Sequence, residues 1–213
     1  MCAKSTLLIK YVQRLRLTMW QKQFVIDLRI FSNLRVCSIH CPRLMSKLPM
    51  TIQNLYYDCN TDMDSDQTYF NITHLEVFLD RTNVIPNIKL FPNLKQCTFQ
   101  LVDYNLRHFL KNPIACETIR IFGASDIQLP FESFQNVLNL CLDNYCELTN
   151  LSGIEILSLK KLILRKLANL QDISQLSSQK ECLEHLEIEK CTRLKNVSVV
   201  SNLLCLNICI INE

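Results

Sequence analysis

Apolar residues recur along the chain in a short, repeated frame. In the stretch 183–194, LEHLEIEKCTRL, the first, fourth and sixth positions are Leu183, Leu186 and Ile188. If this segment is extended, Leu186 and Ile188 point to one side and the intervening glutamates point to the other. The pattern therefore predicts a short strand with one apolar face and one charged face. Such a strand is not stable alone and requires neighbours of the same kind.

Copies of this frame run through almost the whole chain. In each copy, which we call a rung, an apolar leading residue is followed three and five positions later by two more apolar residues. The leading residues are 18 to 24 residues apart, with a mean of about 21. They are Val12, Leu34, Ile52, Ile72, Leu94, Cys116, Val137, Leu159, Leu183 and Leu203. Near-constant spacing over ten copies predicts parallel strands that stack side by side.

The pattern L-x-x-L-x-L-x-x-(N/C)-x-x-L resembles the leucine-rich-repeat superfamily over nearly the whole chain. With Cys191 at position nine and Leu194 at position twelve, the rung of Leu183 also resembles the cysteine-containing subclass found in F-box-type adaptors. The resemblance implies an α/β fold, namely a curved leucine-rich-repeat solenoid. Its single parallel β-sheet would lie on the concave side, with short helices, 3-10 turns and loops on the convex side.

The start of the chain is less regular than the rest. We expect residues 1–33 to form an irregular N-terminal segment, at most a degenerate first repeat, and residues 34–213 to form the solenoid. Two frames compete in the first segment, the second of which overlaps the frame that begins at Leu34, and the sequence leaves both open. They run through Leu15 and Leu17, or through Val25, Leu28 and Ile30.

Composition narrows the class of protein further. The chain of 213 residues is 48% hydrophobic, which supplies a core, and its two glycines are too few for glycine-built phosphate loops. Most of the twelve cysteines fit the apolar frame, and no Cys-x-x-Cys pair occurs, so zinc is not expected. The first residues lack a sustained apolar segment, and no window reaches membrane-spanning length. We therefore expect a cytoplasmic or nuclear protein with reduced thiols, in which glycosylation triplets at Asn71, Asn150 and Asn196 occur by chance and stay unused.

No combination of residues in the sequence predicts catalysis. The histidines His40, His74 and His185 fall at outward strand positions, and the second and ninth rungs would lie roughly 33 Å apart at the usual strand spacing. Residues at that separation cannot share a metal ion or a catalytic triad. The sequence also lacks phosphate-loop, G-x-S-x-G and H-E-x-x-H motifs. We predict that the protein is not an enzyme and has no catalytic residues, metal or cofactor.

The outward positions of the strands are the surface most informative about function. In register, they place aromatic and charged side chains on the concave face, where there is no core for them to enter. Exposed aromatic residues on such a face resemble interface anchors, although loops that folded over them would remove this role. The predicted partner-binding residues are Tyr56, Glu76, Phe78, Arg120, Phe122 and Arg165. We predict a non-catalytic protein–protein interaction module or scaffold that binds a partner protein on this face.

Charge is unevenly distributed along the chain. Residues 1–35 carry seven Lys or Arg against a single acid, a net charge of +6, and the remainder carries −3. This basic end is either solvated or a docking end for nucleic acid, which the overall charge of +3 does not favour. Later basic residues are expected to be neutralised across the sheet, because Lys160 faces Glu184 and Arg165 faces Glu189.

The last rung lacks a visible polar cap. Residues 203–211, LLCLNICII, are almost wholly apolar, whereas repeat proteins normally shield their last core layer. We expect that a partner or a second copy covers this edge, or that the chain continues as a longer repeat protein. Two alternatives to simple protein binding are substrate recognition for a ubiquitin-ligase adaptor and nucleic-acid binding through the basic N-terminal end. Membrane association is not expected.

Overall fold

A computed structural model of the chain describes residues 9–18, 24–41, 44–59, 67–79, 87–101, 114–123, 129, 131–134 and 136–212. Within these residues the strands are β1 (Arg14–Thr18), β2 (Phe24–Asp27), β3 (Val36–Cys41), β4 (Leu44–Lys47), β5 (Asn54–Cys59), β6 (His74–Leu79), β7 (Gln96–Leu101), β8 (Thr118–Phe122), β9 (Asn139–Asp143), β10 (Lys161–Arg165), β11 (His185–Glu189) and β12 (Ile208–Asn212).

All of these strands except β2 and β4 form one parallel sheet in which neighbours follow chain order. β2 and β4 pair in parallel as a separate two-stranded sheet. The described connections contain short 3-10 helices at Leu28–Ile30, Ile88–Leu90, Phe131–Ser133, Ile154–Ile156, Ser174–Gln179 and Ser198–Asn202. This arrangement confirms the coarse prediction of an α/β, repeat-like architecture. The chain divides into two compact units, residues 1–97 (unit 1) and residues 98–213 (unit 2).

The core of unit 1 is built from strand positions that repeat in register. Leu15, Cys37, Leu55 and Leu75 are successive partners on β1, β3, β5 and β6, and the last three are almost completely buried. Burial raises the pKa of Cys37 to about 12, so this residue stays a protonated thiol and packs as an apolar side chain. Of the two frames left open by the sequence, the Leu15 frame enters the ten-stranded sheet, whereas Leu28 begins a 3-10 helix. Residues 1–8 and 19–23 lie outside the described residues.

A ladder of asparagine side chains joins successive rungs of unit 1 just ahead of the strands. Asn33, Asn71 and Asn93 each precede a leading residue, and each donates an Nδ2 hydrogen to a backbone carbonyl of the rung before. The acceptors lie two positions before the leading residue of their own rung, at Lys10, Met50 and Phe70. These bonds satisfy turn carbonyls that the strand ladder does not reach. The position lies outside the apolar frame, and the sequence pattern did not predict its role.

The core of unit 2 follows the same design with more leucine. Ile119, Leu140, Leu162 and Leu186 are successive partners from β8 to β11, and none is more than 1% exposed. A second buried row lies two residues later, at Ile121, Leu142, Leu164 and Ile188. Burying one such side chain contributes roughly 1.5–3 kcal/mol. Contacts between neighbouring rungs are therefore the main source of stability in this unit.

The strands of unit 2 from β8 to β11 are each followed by a residue with a positive φ angle. Gly123, Asn144, Lys166 and Lys190 have φ angles of 114°, 57°, 52° and 55°. The backbone N–H of each donates to a carbonyl at the end of the following strand. Only glycine fits at position 123, because an added Cβ atom would lie 2.0 Å from the carbonyl oxygen of Leu101.

A recurring Asx turn precedes three of the described 3-10 helices of unit 2, those at Ile154–Ile156, Ser174–Gln179 and Ser198–Asn202. Asn150, Asp172 and Asn196 each accept a hydrogen bond, at 2.8–2.9 Å, from the backbone N–H of the serine two residues later. The bond from the Ser174 N–H is the main reason that the pKa of Asp172 lies below its ordinary value. The glycosylation triplets at Asn150 and Asn196 belong to this repeated turn. The turn uses the backbone N–H of the serine and not its hydroxyl, so the expectation that the triplets occur by chance stays a prediction.

The last rung does not follow the predicted frame. Leu186 pairs with Cys209 rather than with Leu206, and the backbone N–H groups of Asn207 and Ile208 both donate to the carbonyl of Glu184. The last leading residue is therefore Leu206 and not Leu203. Both frames suit the apolar run LLCLNICII, so the apolar pattern alone did not distinguish them. The last open positions of β12 are consequently Ile210 and Asn212, whereas a frame that begins at Leu203 would place Asn207 and Cys209 there.

A buried glutamine joins two rungs of unit 2. Gln179 has 0% exposure. Its Oε1 accepts from the backbone N–H of Leu159 at 3.0 Å, and its Nε2 donates to the carbonyls of Ile154 and Leu157 at 3.1 and 2.9 Å. The amide thus satisfies the Leu159 N–H and the Leu157 carbonyl, which would otherwise be buried without partners, and adds a second bond to the Ile154 carbonyl, which also accepts from the Leu157 N–H.

Replacing this glutamine should destabilise unit 2 selectively. We expect Gln179→Ala to lower the free energy of unfolding by about 2–3 kcal/mol, because it opens a cavity and leaves the buried Leu159 N–H and Leu157 carbonyl without hydrogen-bond partners. Urea unfolding followed by circular dichroism measures this change. Gln171→Ala is the matched control, since Gln171 is exposed, and it should cost less than about 0.5 kcal/mol. Equal stability of the two variants would contradict the structural role of Gln179.

Candidate functional site: the open face of the sheet

Alternate strand residues point away from the buried apolar layer, and we call the surface that they form the open face. Because side chains alternate along a strand, the core register also fixes which residues lie on this face. The six predicted partner-binding residues fall in two sets. Tyr56, Glu76 and Phe78 belong to unit 1, and Arg120, Phe122 and Arg165 belong to unit 2.

In unit 1 the three predicted residues lie on neighbouring strands. Tyr56 of β5 is the register partner of Glu76 of β6, and Phe78 is the partner of Asp58. The Tyr56 side chain is 37% exposed, whereas Glu76 and Phe78 are half-buried. Asp58 lies 3.8 Å from His40 Nδ1, its partner on β3. The open face of unit 1 therefore brings the predicted residues together, with Tyr56 as the more accessible of its two aromatic residues.

In unit 2 the predicted residues are separated by one strand. Arg120 and Phe122 lie on β8 and Arg165 lies on β10, with Cys141 and Asp143 of β9 between them. Arg120 is exposed, and Phe122 and Arg165 are half-buried. On the open face of unit 2, charged and apolar side chains therefore lie next to one another on the consecutive strands β8, β9 and β10.

Arg165 is engaged by carboxylates of the neighbouring strand. Its guanidinium donates to Glu187 Oε1, with the Nε bond at 2.9 Å, and its Nε also lies 3.3 Å from Glu189 Oε2. The hydrogen bond to Glu187 is the main reason that the pKa of Arg165 is raised. The predicted neutralisation across the sheet is confirmed, although the diagonal partner Glu187 makes the closer contact. Arg165 thus contacts both carboxylates that β11 contributes to the open face, Glu187 and Glu189.

The other predicted cross-strand pair also forms. Lys160 Nζ lies 3.7 Å from Glu184 Oε1, and both side chains are about half exposed to solvent. Such an exposed pair contributes little to stability, and its main effect is to cancel the local charge.

Arg120 is in a different electrostatic position from Arg165. Among the described residues, no carboxylate forms an ion pair with Arg120. Its register partner on β9 is Cys141, which offers no charge because burial raises the pKa of its thiol and keeps it protonated at neutral pH. Arg120 is therefore an accessible cation on the open face that no carboxylate of the described residues pairs.

An apolar centre lies beside Arg120. Cys141 is 9% exposed, and its partner Ile163 on β10 is half-buried on the same face. The row continues through Glu187 to Ile210, which is 39% exposed. The sequence placed Cys141 and Ile163 in this row but did not single them out. Their alternation with charged neighbours is the signal that could have identified them.

The described histidines, His40, His74 and His185, lie on three different strands. His185 Nε2 is buried and lies 3.9 Å from Glu187 Oε2, beyond hydrogen-bond distance. Across the described part of the chain, no group of three or more His, Cys, Asp and Glu side chains is placed to hold a metal ion.

Exposed apolar side chains accumulate in the last rung. Leu204, Ile208, Ile210 and Ile211 are between 39% and 76% exposed, and every residue of β12 is exposed. The expectation of an apolar edge agrees with these exposures, and what covers it stays a prediction.

Comparison with known proteins gives no assignment. Neither a protein-family model nor a curated protein matches the chain. No helix within the described residues has the length and apolar character needed to cross a membrane. Any functional assignment therefore depends on the repeat frame and on the composition of the open face.

The ion pairs around Arg165 lead to a test of how rigidly the face is held. A double-mutant cycle on Arg165→Ala and Glu187→Ala should give a coupling free energy of about 0.5–1 kcal/mol, because the side chains are only partly exposed. The cycle with Glu189→Ala should give a smaller value, since that contact is longer. Thermal unfolding measures both, and 1 M salt should reduce both. A coupling below about 0.2 kcal/mol for Glu187 would mean that solvent screens the pair.

Proposed function

We propose that this chain is a leucine-rich-repeat protein whose open face binds a partner protein without catalysing a reaction. The superfamily assignment is supported by the ten apolar frames, most of which lie in register on adjacent parallel strands with their leading residues buried. The short connections and the recurring left-handed turns are typical of a small repeating unit that cannot bury its apolar face alone.

Arg120 is the observation that carries the binding proposal. Exposed arginines beside an apolar patch are characteristic of protein interfaces, in which Arg and aromatic residues are enriched and contribute much of the affinity. Phe122 on the same strand and Ile163 two strands away provide that apolar surface. The carboxylates of β11 form an acidic border on the far side. We therefore propose that unit 2 contacts its partner through Arg120, Phe122, Cys141 and Ile163.

The composition of this surface also indicates the chemistry of the partner. A carboxylate on the partner would pair with Arg120, and an apolar side chain would cover Cys141 and Ile163. Basic groups would be accepted near Glu187 and Glu189 only in competition with Arg165, which already occupies them. We therefore propose a partner segment with an acidic residue next to an apolar one.

Site-specific photo-crosslinking followed by affinity measurement tests this proposal. A photoreactive amino acid at Ile163 should capture the partner, whereas the same group at Ser177, exposed on a 3-10 helix, should not. With the captured protein purified, Arg120→Glu should weaken binding by about tenfold or more, because it replaces attraction by repulsion at the centre of the contact. Isothermal titration calorimetry measures the dissociation constant.

The control for this experiment is a charge reversal elsewhere in unit 2. Arg193→Glu alters an exposed residue in the turn after β11 and should change the dissociation constant by less than about twofold. Binding that is unchanged by Arg120→Glu, or that is lost equally in both variants, would contradict the proposed contact surface.

Nucleic-acid binding is the second candidate, and one observation favours it. Arg14 and Arg16 are exposed on the open face of β1, and their partners on β3 are the uncharged residues Val36 and Ser38. If these cations contact phosphates, fluorescence anisotropy with single-stranded RNA should show an affinity that falls steeply with salt. Replacing both arginines with Ala should lower the log–log salt slope by about 1 to 2. Affinity without salt dependence would remove this candidate.

A further inference from the structure

The register of the last two rungs places two cysteines at equivalent positions. Cys182 precedes Leu183, and Cys205 precedes Leu206, the leading residue of the last rung. Hydrogen bonds fix this alignment on both sides, from the Leu204 N–H to the Lys180 carbonyl and from the Asn207 N–H to the Glu184 carbonyl, each at 2.8 Å. The same offset of 23 residues holds in the strands, where His185 pairs with Ile208. Cys182 and Cys205 are therefore stacked on neighbouring rungs.

Stacking on neighbouring rungs brings the two residues within reach of a disulfide. Adjacent parallel segments lie roughly 4.8 Å apart, and disulfides span Cα distances of about 4.4–6.8 Å. Both cysteines are free thiols in the structure. Their thiols also interact electrostatically, because burial first and then a charge on Cys205 raise the pKa of Cys182. The register thus makes the two residues neighbours, and the electrostatic interaction of their thiols agrees with this placement.

The two thiols differ in accessibility in the way that a two-step exchange requires. Cys205 is exposed, and its Sγ donates to the Glu181 carbonyl at 3.2 Å. Cys182 is half-buried, with its Sγ 3.3 Å from Gln179 Oε1. A reagent in solution can therefore reach Cys205 first, while Cys182 is placed to react with the product.

We infer that Cys182 and Cys205 form a dithiol site that reacts with small-molecule disulfides and is thereby converted into a disulfide joining the last two rungs. The Cys205 thiolate attacks one sulfur of glutathione disulfide, so that a mixed disulfide forms and one glutathione leaves as its thiolate. Cys182 then loses its proton and attacks the Cys205 sulfur, and the second glutathione leaves. Two protein thiols are oxidised, and one glutathione disulfide is reduced to two glutathione molecules.

The new bond would act on the least protected strand of unit 2. All five residues of β12 are exposed, and within the described residues its pairing partner is β11. A covalent link between the turns that precede β11 and β12 restricts local opening of this rung. The site therefore couples the order of β12, including Ile208 and Ile210 on the open face, to the redox state of the surroundings. This inference does not depend on the proposed partner binding.

Peptide mapping under non-reducing conditions tests the inference on the full chain. After incubation with glutathione disulfide, the expected product is a cross-linked pair of peptides containing Cys182 and Cys205, lighter by two hydrogen atoms than the reduced pair and cleaved by dithiothreitol. The link should persist in Cys209→Ser, the matched control, and vanish in Cys205→Ser. Cys41 and Cys59 are also register partners, so the identity of the peptides must assign each bond.

Hydrogen exchange provides the second readout and does not require a variant to fold. In the oxidised chain, amides of β12 should exchange about tenfold or more slowly than in the reduced chain, while those of β9 stay unchanged. The inference would be overturned if Cys205 carried only glutathione while Cys182 stayed reduced, or if Cys205 were linked to Cys209. It would also be overturned if the bond formed without any slowing of exchange in β12.

Discussion

Burial of apolar side chains between neighbouring rungs is the interaction on which both units depend. A single strand such as β10 buries Leu162 and Leu164 only because β9 and β11 supply matching residues on either side. The contribution of roughly 1.5–3 kcal/mol for each buried side chain is therefore shared by adjacent rungs and is not a property of one of them. Polar groups such as Gln179 and the Asx turns then satisfy the backbone of the connections that close each rung.

The same burial determines the open face indirectly. Because successive side chains alternate between the two sides of a strand, fixing Leu162 and Leu164 in the core leaves Ile163 and Arg165 on the open side. The sequence was therefore sufficient to predict that Arg165 faces Glu189, since that pairing follows from the register alone. It was not sufficient to predict that Arg165 binds Glu187 more closely, because that choice depends on side-chain rotamers and not on strand position.

The errors in the predicted fold arise where several frames have the same apolar pattern. In LLCLNICII every residue except Asn207 is apolar, so burial alone does not distinguish Leu203 from Leu206 as the leading residue. Backbone hydrogen bonds from Asn207 and Ile208 to the Glu184 carbonyl decide between them. Features outside the apolar frame were missed for a related reason. The asparagine ladder of unit 1 and the buried Gln179 contribute hydrogen bonds, which a pattern of apolar positions does not detect.

The inferred dithiol site lies at the same position of the rung as the asparagine ladder, directly before the leading residue. In unit 1 the residue before the leading residue is asparagine in three rungs, and Asn71 donates to the carbonyl of Met50, two positions before the leading residue of the preceding rung. Cys205 occupies the same position in its own rung, and its Sγ donates to the equivalent carbonyl, that of Glu181. A thiol is a weaker donor than an amide, so the rung of β12 is tied less firmly by hydrogen bonding at this position. Where asparagine would make a hydrogen bond between neighbouring rungs, cysteines at two successive ladder positions can instead form a disulfide when the surroundings become oxidising.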